Sequence, residues 1–319
     1  MATPEYLLYA TGGRPFHRSG DAPAALGYTP PMSTPPTPPE SAPPTISRTG
    51  ETPFDFGGAT FDLSAQADRE VVRFMLSQAL FGEATGVYCG KSLYAARNLE
   101  AARFYLRQAR QELNHLELFA DIFRTLEMEP LPGHWVVRLL STHNNYYPCK
   151  VLMEHALGEG MVLDIFRDVL LQTLPDSDPR VPAIKKRLRV VCQEEEEHVA
   201  WGEKETRHIL AERPWMATPF YGLLELQLLF IPFAVRPFAR RYADHPVLKH
   251  LDAFQDHVRR RVRAQGVALG FAPATPPNAA VRLWAMFTGL LLLLRSQVAR
   301  STSTLEKTYL QELGFQARS

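Results

Sequence analysis

The stretch VCQEEEEHVAWGEKETRH, residues 191–208, decides how this chain is read. Four consecutive glutamates before a histidine ordinarily mark the wet face of a helix. One of them, Glu195, stands three residues before His198, however, and an i, i+3 pair projects from a single helical face, as two ligands of one metal ion must. A second pair of this kind, Glu112 and His115, lies in QELNHLELF, residues 111–119. One Glu-x-x-His is common in helical proteins. Two of them, each on the second helix of a hairpin, form a pattern.

Hairpin symmetry then selects the partners. A 3.6-residue apolar period dominates from about 65 to 212 without strand alternation, so the fold class is all-α. Helices are expected over about 66–97, 99–127, 149–173 and 179–212, with Asn98 as an N-cap between the first two and LPDSDPR (174–180) dividing the last two. In a tight antiparallel hairpin, residues equally far from the turn share a level. Glu83 is the one acid between Glu70 and Glu100, and its midpoint with Glu112 falls at 97.5, beside Asn98. The midpoint of Glu159 and Glu195 is 177, the centre of LPDSDPR, whereas Glu154 with Glu195 gives 174.5, at the edge of the third helix. Glu159 is therefore the expected ligand.

The same test sets aside Glu205-x-x-His208, whose glutamate has its midpoint with Glu159 at 182, inside the fourth helix. Glu194, Glu196 and Glu197 fall off the Glu195 stripe and are expected to be solvated or paired with Arg and Lys. His155, beside Glu154, is expected to support the site or the core. The six candidates sit among apolar neighbours such as Leu80, Phe119, Val162 and Leu188. A carboxylate there is costly to bury unless something pairs with it, and two divalent cations among four carboxylates and two imidazoles would meet that cost.

Bulk composition narrows the classes. The 319 residues are 45% hydrophobic, and 35 basic against 34 acidic residues leave a net charge near +1, so no overall imbalance points to nucleic acid or to an anionic membrane surface. Cys89, Cys149 and Cys192 are too scattered for a disulfide framework or a thiolate zinc site, which fits a reducing, cytoplasmic setting. The N-terminus shows no secretory signal. YGLLELQLLFIPFAV (221–235) is interrupted by Glu225 and Gln227, and LWAMFTGLLLLL (283–294) is closed by Arg282 and Arg295. Both fall short of the roughly 20 apolar residues of a transmembrane segment, and they are expected to be buried helices rather than a membrane-touching or substrate-facing surface. Residues 1–60 hold 12 of the 26 prolines and read as a disordered tail, with Met32 as a second conceivable start. Residues 61–319 read as one domain, in which further helices at about 216–242, 245–268, 277–298 and 303–313 pack on a four-helix body.

The order Glu, Glu-x-x-His, Glu, Glu-x-x-His over residues 65–212 resembles the ferritin-like di-iron carboxylate superfamily. The resemblance implies a ferritin-like four-helix bundle with additional C-terminal helices. It implies metal ligands Glu83, Glu112, His115, Glu159, Glu195 and His198, with one histidine on each of two Fe ions and with Glu112 and Glu195 as bridges. Fe/Fe and Mn/Fe remain open, and O2 is the implied co-substrate. Val191 stands where the arylamine N-oxygenases carry another histidine, and the cysteine-ligated iron domain of rubrerythrins has no counterpart. The apolar C-terminal helices exceed what a ferritin needs, and no tyrosine lies where a radical-generating reductase subunit would keep one.

What the resemblance implies for function is an oxygenase, whether monooxygenase, hydroxylase or desaturase, acting on a small hydrophobic substrate in secondary or lipid metabolism. Its electron donor would be a separate ferredoxin or reductase, because no flavin, NAD or iron–sulfur motif is present. A homodimer is one admissible assembly. The alternative is an iron-handling ferroxidase or storage-like protein without an organic substrate. Gly82, Gly86, Gly90, Gly158 and Gly160 either open a pocket beside the metals, reached by an apolar channel between the C-terminal helices, or serve ordinary close packing.

Overall fold

A computed structural model of the chain describes residues 52–87, 92–93, 96–132, 146–241 and 244–298, with the side chains of 230–241 and 297–298 excepted. The tail up to residue 51, Cys89, Gly90 and the expected helix at 303–313 lie outside the described residues. Those residues form helices and no strand: α1 (Gln66–Gly86), α2 (Leu99–Leu126), α3 (147–173), α4 (Val181–Glu212), α5 (Ala217–Arg241), α6 (Leu251–Ala268) and α7 (Ala279–Val298). The all-α expectation holds for them.

Local chemistry sets the helix ends. The Asn98 side chain accepts a hydrogen bond from the Ala101 N–H at 2.8 Å, capping α2 as its sequence position predicts. At the other end Glu127 takes up a left-handed φ of 51°. Helix α1 stops at Gly86 rather than near 97, and the Val87 N–H turns back to the carbonyls of Glu83 and Thr85. Gly82 and Gly86 in its last two turns make that end weak, since glycine costs about 1 kcal/mol relative to alanine in a helix.

Helix α3 is not regular. Two π-helical segments, Val151–Ala156 and Asp164–Leu170, flank the α-helical Gly158–Leu163 that carries Glu159. A π-turn frees backbone carbonyls from the regular ladder, and such turns concentrate at functional sites. Helix α6 supplies donors to the irregular stretch. The Gln265 amide donates to the Ala156 carbonyl and to Glu203, each at 2.8 Å. Arg261 donates from Nη2 to the Gly160 carbonyl at 3.4 Å and from Nε to Asp164 at 3.0 Å. The C-terminal part of the chain thus grips α3 on both sides of Glu159.

Apolar layers lie above and below the level of the glutamates. On one side Leu76, Phe119, Leu163, Phe166 and Leu188 are fully or almost fully buried, and the Phe119 and Phe166 rings are 5.3 Å apart. On the other side Phe104 stacks on Trp201 at 3.7 Å, with Tyr105 and His155 against them. Each such large side chain contributes about 1.5–3 kcal/mol by leaving water. The packed chain also begins earlier than residue 61: Phe56 is buried, and Phe54 and Phe56 meet the Phe254 ring of α6 at 5.5 and 5.8 Å. Phe54 and Phe56 thus belong to the packed part of the chain although they precede the boundary expected at residue 60. Two aromatic side chains outweigh the weak local propensity of ETPFDFGG (51–58).

Arg261 and Asp164 form a pair with side chains 7% and 1% exposed. Removing one partner strands the other in the interior. Arg261→Met is expected to lower the unfolding free energy by about 3–5 kcal/mol in denaturant titration, and a loss under 1 kcal/mol would show the grip to be dispensable.

Candidate metal centre

The six residues selected from the sequence converge. Two overlapping groups have ligand atoms all within 4.8 Å of one another: Glu83, Glu112, His115 and Glu195, and Glu112, Glu159, Glu195 and His198. Glu112 and Glu195 belong to both, so each group has two shared carboxylates, one carboxylate of its own and one imidazole. The i, i+3 spacing on α2 and α4 aims each pair inward, and the α1 and α3 glutamates arrive at the same level across their hairpins. All but Glu159 are buried; Glu159 keeps partial exposure at the surface of the cluster.

Distances fix the orientation of the histidines. Nδ1 of His115 lies 3.0 Å from Glu83 and 3.3 Å from Glu195, while its Nε2 is 2.8 Å from Glu194. Nδ1 of His198 lies 3.0 Å from Glu195 and 3.7 Å from Glu112, while its Nε2 is 3.0 Å from Oε1 of Gln111. An acceptor on Nε2 holds that proton and turns the Nδ1 lone pair toward the cluster, which is how outer partners commonly fix a metal-binding imidazole. The two arrangements mirror each other. In QELNH and EEEEH the residue before the Glu-x-x-His glutamate of one helix receives the histidine of the other.

Glu194 is therefore not simply part of the wet face, as the stripe argument placed it; a 26% exposed side chain reaches across to His115. The sequence held a signal for this, since Gln111 and Glu194 occupy the same offset in the two motifs. Glu196 and Glu197 remain partly or fully exposed. The Gln108 amide, which no motif in the sequence marks, donates to Glu112 and to Glu159 at 3.1 Å each and ties the two carboxylates together. Gly86 has a specific purpose: a Cβ there would come within 2.6 Å of the Glu112 carboxyl carbon. Glycine at that point leaves room for the Glu112 side chain.

The residues set aside are elsewhere. Glu205 pairs with Arg97 at 2.7 Å, and the exposed His208 pairs with Glu212 at 3.0 Å. Glu154 binds Lys150. His155 is fully buried against Phe104, Tyr105 and Trp201, and neither ring nitrogen has a hydrogen-bond partner among the described residues. Burial, with help from Lys150 and His198, pulls its pKa well below 6.5, so it sits there as a neutral imidazole.

The donor set fits divalent metal. Four carboxylates carry four negative charges, which two divalent cations balance, and hard oxygen donors with two imidazoles suit iron, manganese or zinc. Without cations the cluster must hold protons instead. Burial, reinforced by Glu195 and Glu83, raises Glu112 well above 4.5. Burial, with Glu195 and Glu154, does the same for Glu159. Burial raises Glu83 as well, against the pull of His115. For His115 burial acts downward, but hydrogen bonds to Glu195 and Glu83 outweigh it and lift the imidazole to about 10. Glu195 alone runs the other way: burial pushes it up, yet His198 and His115 hold it to about 2.

No family model, no curated protein and no solved structure matches this chain. What stands on the structure itself is a fold that is all-helical among the described residues, with a buried carboxylate–histidine cluster able to hold metal ions.

Two outcomes are expected. Glu83, Glu112, Glu159 and His115 bind more protons in the fold than in the unfolded chain, so stability of the metal-free protein is highest below about pH 4.5 on their account and falls as pH rises above it. The Glu195 contribution is lost only as pH drops from about 4.5 toward 2. Scanning calorimetry should show Tm of the metal-free protein declining between about pH 5 and 9, with metal addition raising Tm most at the upper end, because metal displaces those protons. Glu194→Ala should weaken metal affinity by about 10–100-fold, with partial recovery in Glu194→Gln; unchanged affinity would deny Glu194 a part in orienting His115.

Proposed function

We propose that this chain is an oxygen-activating, non-haem di-iron oxidoreductase of ferritin-like architecture that oxidises a hydrophobic organic substrate. The observation that carries the reading is the sharing of Glu112 and Glu195 between two donor groups, each completed by one histidine and one further glutamate. A single structural ion does not need that duplication.

Two iron ions in such a set would supply the joint reduction of O2, with electrons delivered by a separate ferredoxin or reductase. The chain's own residues have defined tasks. Glu112 and Glu195 hold the middle of the cluster, Glu83 with His115 and Glu159 with His198 close its two ends, and Gln108 fixes the spacing between Glu112 and Glu159. Glu194 and Gln111 keep the imidazoles turned inward. The Phe104–Trp201 stack and the Phe119–Phe166 pair exclude water on either side, which protects an oxidising site and strengthens its electrostatics. Glu159, the ligand candidate with partial exposure, marks the side from which O2 and substrate would approach.

The expected apolar channel between the last helices is not part of this reading. Leu283, Trp284, Phe287 and Leu291 of α7 are exposed rather than lining an interior path.

Anaerobic reconstitution with ferrous iron should give about two ions per chain, and Glu112→Ala should bring that below about one. Product analysis after exposure to O2 with a reductant and a panel of fatty and aromatic compounds should reveal an oxygenated or desaturated product. Retention of less than one ion per chain by the unaltered protein, unchanged in Glu112→Ala, would overturn the metal assignment. Iron oxidation that proceeds fully without any organic product would move the reading to a ferroxidase.

A further inference from the structure

Helix α7 turns a continuous apolar face outward. Leu283, Trp284, Phe287, Leu290, Leu291 and Leu294 are each between 43% and 65% exposed, at the i, i+3, i+4, i+7 spacing of one helical face. Only 22% of the apolar window Ala279–Ser296 is buried, so this is not a core helix. Its inner face is locked in place. A Cβ on Gly289 would lie 2.7 Å from the backbone of Gly222 on α5, and only glycine permits that approach. The orientation of the outer face is therefore fixed rather than a matter of a loosely docked helix.

Cationic residues border the same face. A groove of about 430 Å³ beside it is lined by Arg259, Arg260, Arg263 and Arg282, with Leu228, Leu229 and Met286 and the acids Glu225 and Asp256. Arg263 and Arg282 share the one Glu225 carboxylate, and Arg259 takes Asp256 at 2.9 Å, which leaves the groove with a surplus of positive charge. Arg295 closes the far end of the stripe. Helix α7 itself contains no acidic residue.

We propose that the α7 face and the arginine groove together form a docking surface for an anionic lipid bilayer, with α7 lying in the plane of the interface. Leucines with Trp284 and Phe287 on one side and arginines at the edges match the residue chemistry of an interfacial helix, in which aromatic rings sit at headgroup level and cations meet lipid phosphate. By length and composition alone the window Ala279–Ser296 could cross a membrane, but its uninterrupted apolar run, Leu283 to Leu294, spans only about 18 Å against a hydrocarbon core of about 30 Å, and a crossing would draw Arg282 and Arg295 into that core, so the helix lies on a membrane rather than across it. Charge also argues against a second copy as the occupant. Antiparallel self-pairing about the midpoint of the stripe, 288.5, sets Arg282 of one copy level with Arg295 of the other, and parallel pairing sets each arginine against itself. Helix α7 has no acid to relieve either arrangement, and the Glu225 carboxylate beside Arg282 is already shared with Arg263.

Vesicle flotation of the full-length, metal-loaded protein tests this. Vesicles of phosphatidylcholine with about 30% phosphatidylglycerol should carry most of the protein, pure phosphatidylcholine much less, and about 0.5 M NaCl should lower the anionic-vesicle fraction several-fold. The double substitution Trp284→Ser and Leu291→Ser should reduce the partition coefficient at least about tenfold, and Arg260→Glu roughly fivefold, both with metal content unchanged as the control for folding. Absence of binding to either vesicle overturns the proposal. So does a dimer that the double substitution converts to monomer while vesicle binding stays as it was, which would make a second copy the occupant of the face.

Discussion

Four glutamate side chains held within reach of one another in an apolar interior constrain everything around them. Two carboxylates at such distances do not both ionise without compensation, and against burial, hydrogen bonds to Glu195 and Glu83 lift the His115 imidazole so that it carries a compensating proton. The cluster therefore has to bind protons or metal ions. The surrounding architecture keeps the carboxylates close despite that repulsion: Gln108 ties Glu112 to Glu159, Gly86 admits the Glu112 carboxylate against α1, and aromatic layers press from both sides.

The C-terminal helices take part in that restraint. Helix α3 carries Glu159 between two π-helical segments, and those irregular turns would leave polar backbone groups unsatisfied if α3 faced only apolar neighbours. Gln265 and Arg261 of α6 supply donors at Ala156, Gly160 and Asp164, so a helix far along the chain sets the geometry around Glu159. The same C-terminal region turns the α7 face outward beside a groove of arginines. One part of the extension thus stabilises the site from inside while another presents a surface.

The six ligand candidates were legible in the sequence because helical geometry is local. An i, i+3 pair shares a face wherever a helix forms, and a tight hairpin fixes levels by counting from the turn. Asn98 capped α2 for the same reason: its side chain needs only the next residues. The role of Glu194 is not legible in the helical stripe, because a stripe follows one helix only. Its partner, His115, lies on another helix 79 positions away, and only the packing of α2 against α4 brings the two together. The early end of α1 and the π-turns of α3 were likewise hidden, since both follow from what the helices meet rather than from their own apolar period.

By itself, then, the sequence determined an all-α body, the four helices that carry the ligand candidates and the residues that could hold metal, all of which follow from periodicity and hairpin symmetry. Tertiary structure decided which nitrogen of each imidazole faces the carboxylates, which side chains hold them there, and which face of the last described helix meets solvent. The long apolar run 283–294 reads as core by composition. Close contact at Gly222 and Gly289 turns its bulk outward instead, and a choice between two faces of one helix is made only by the neighbour against which that helix packs.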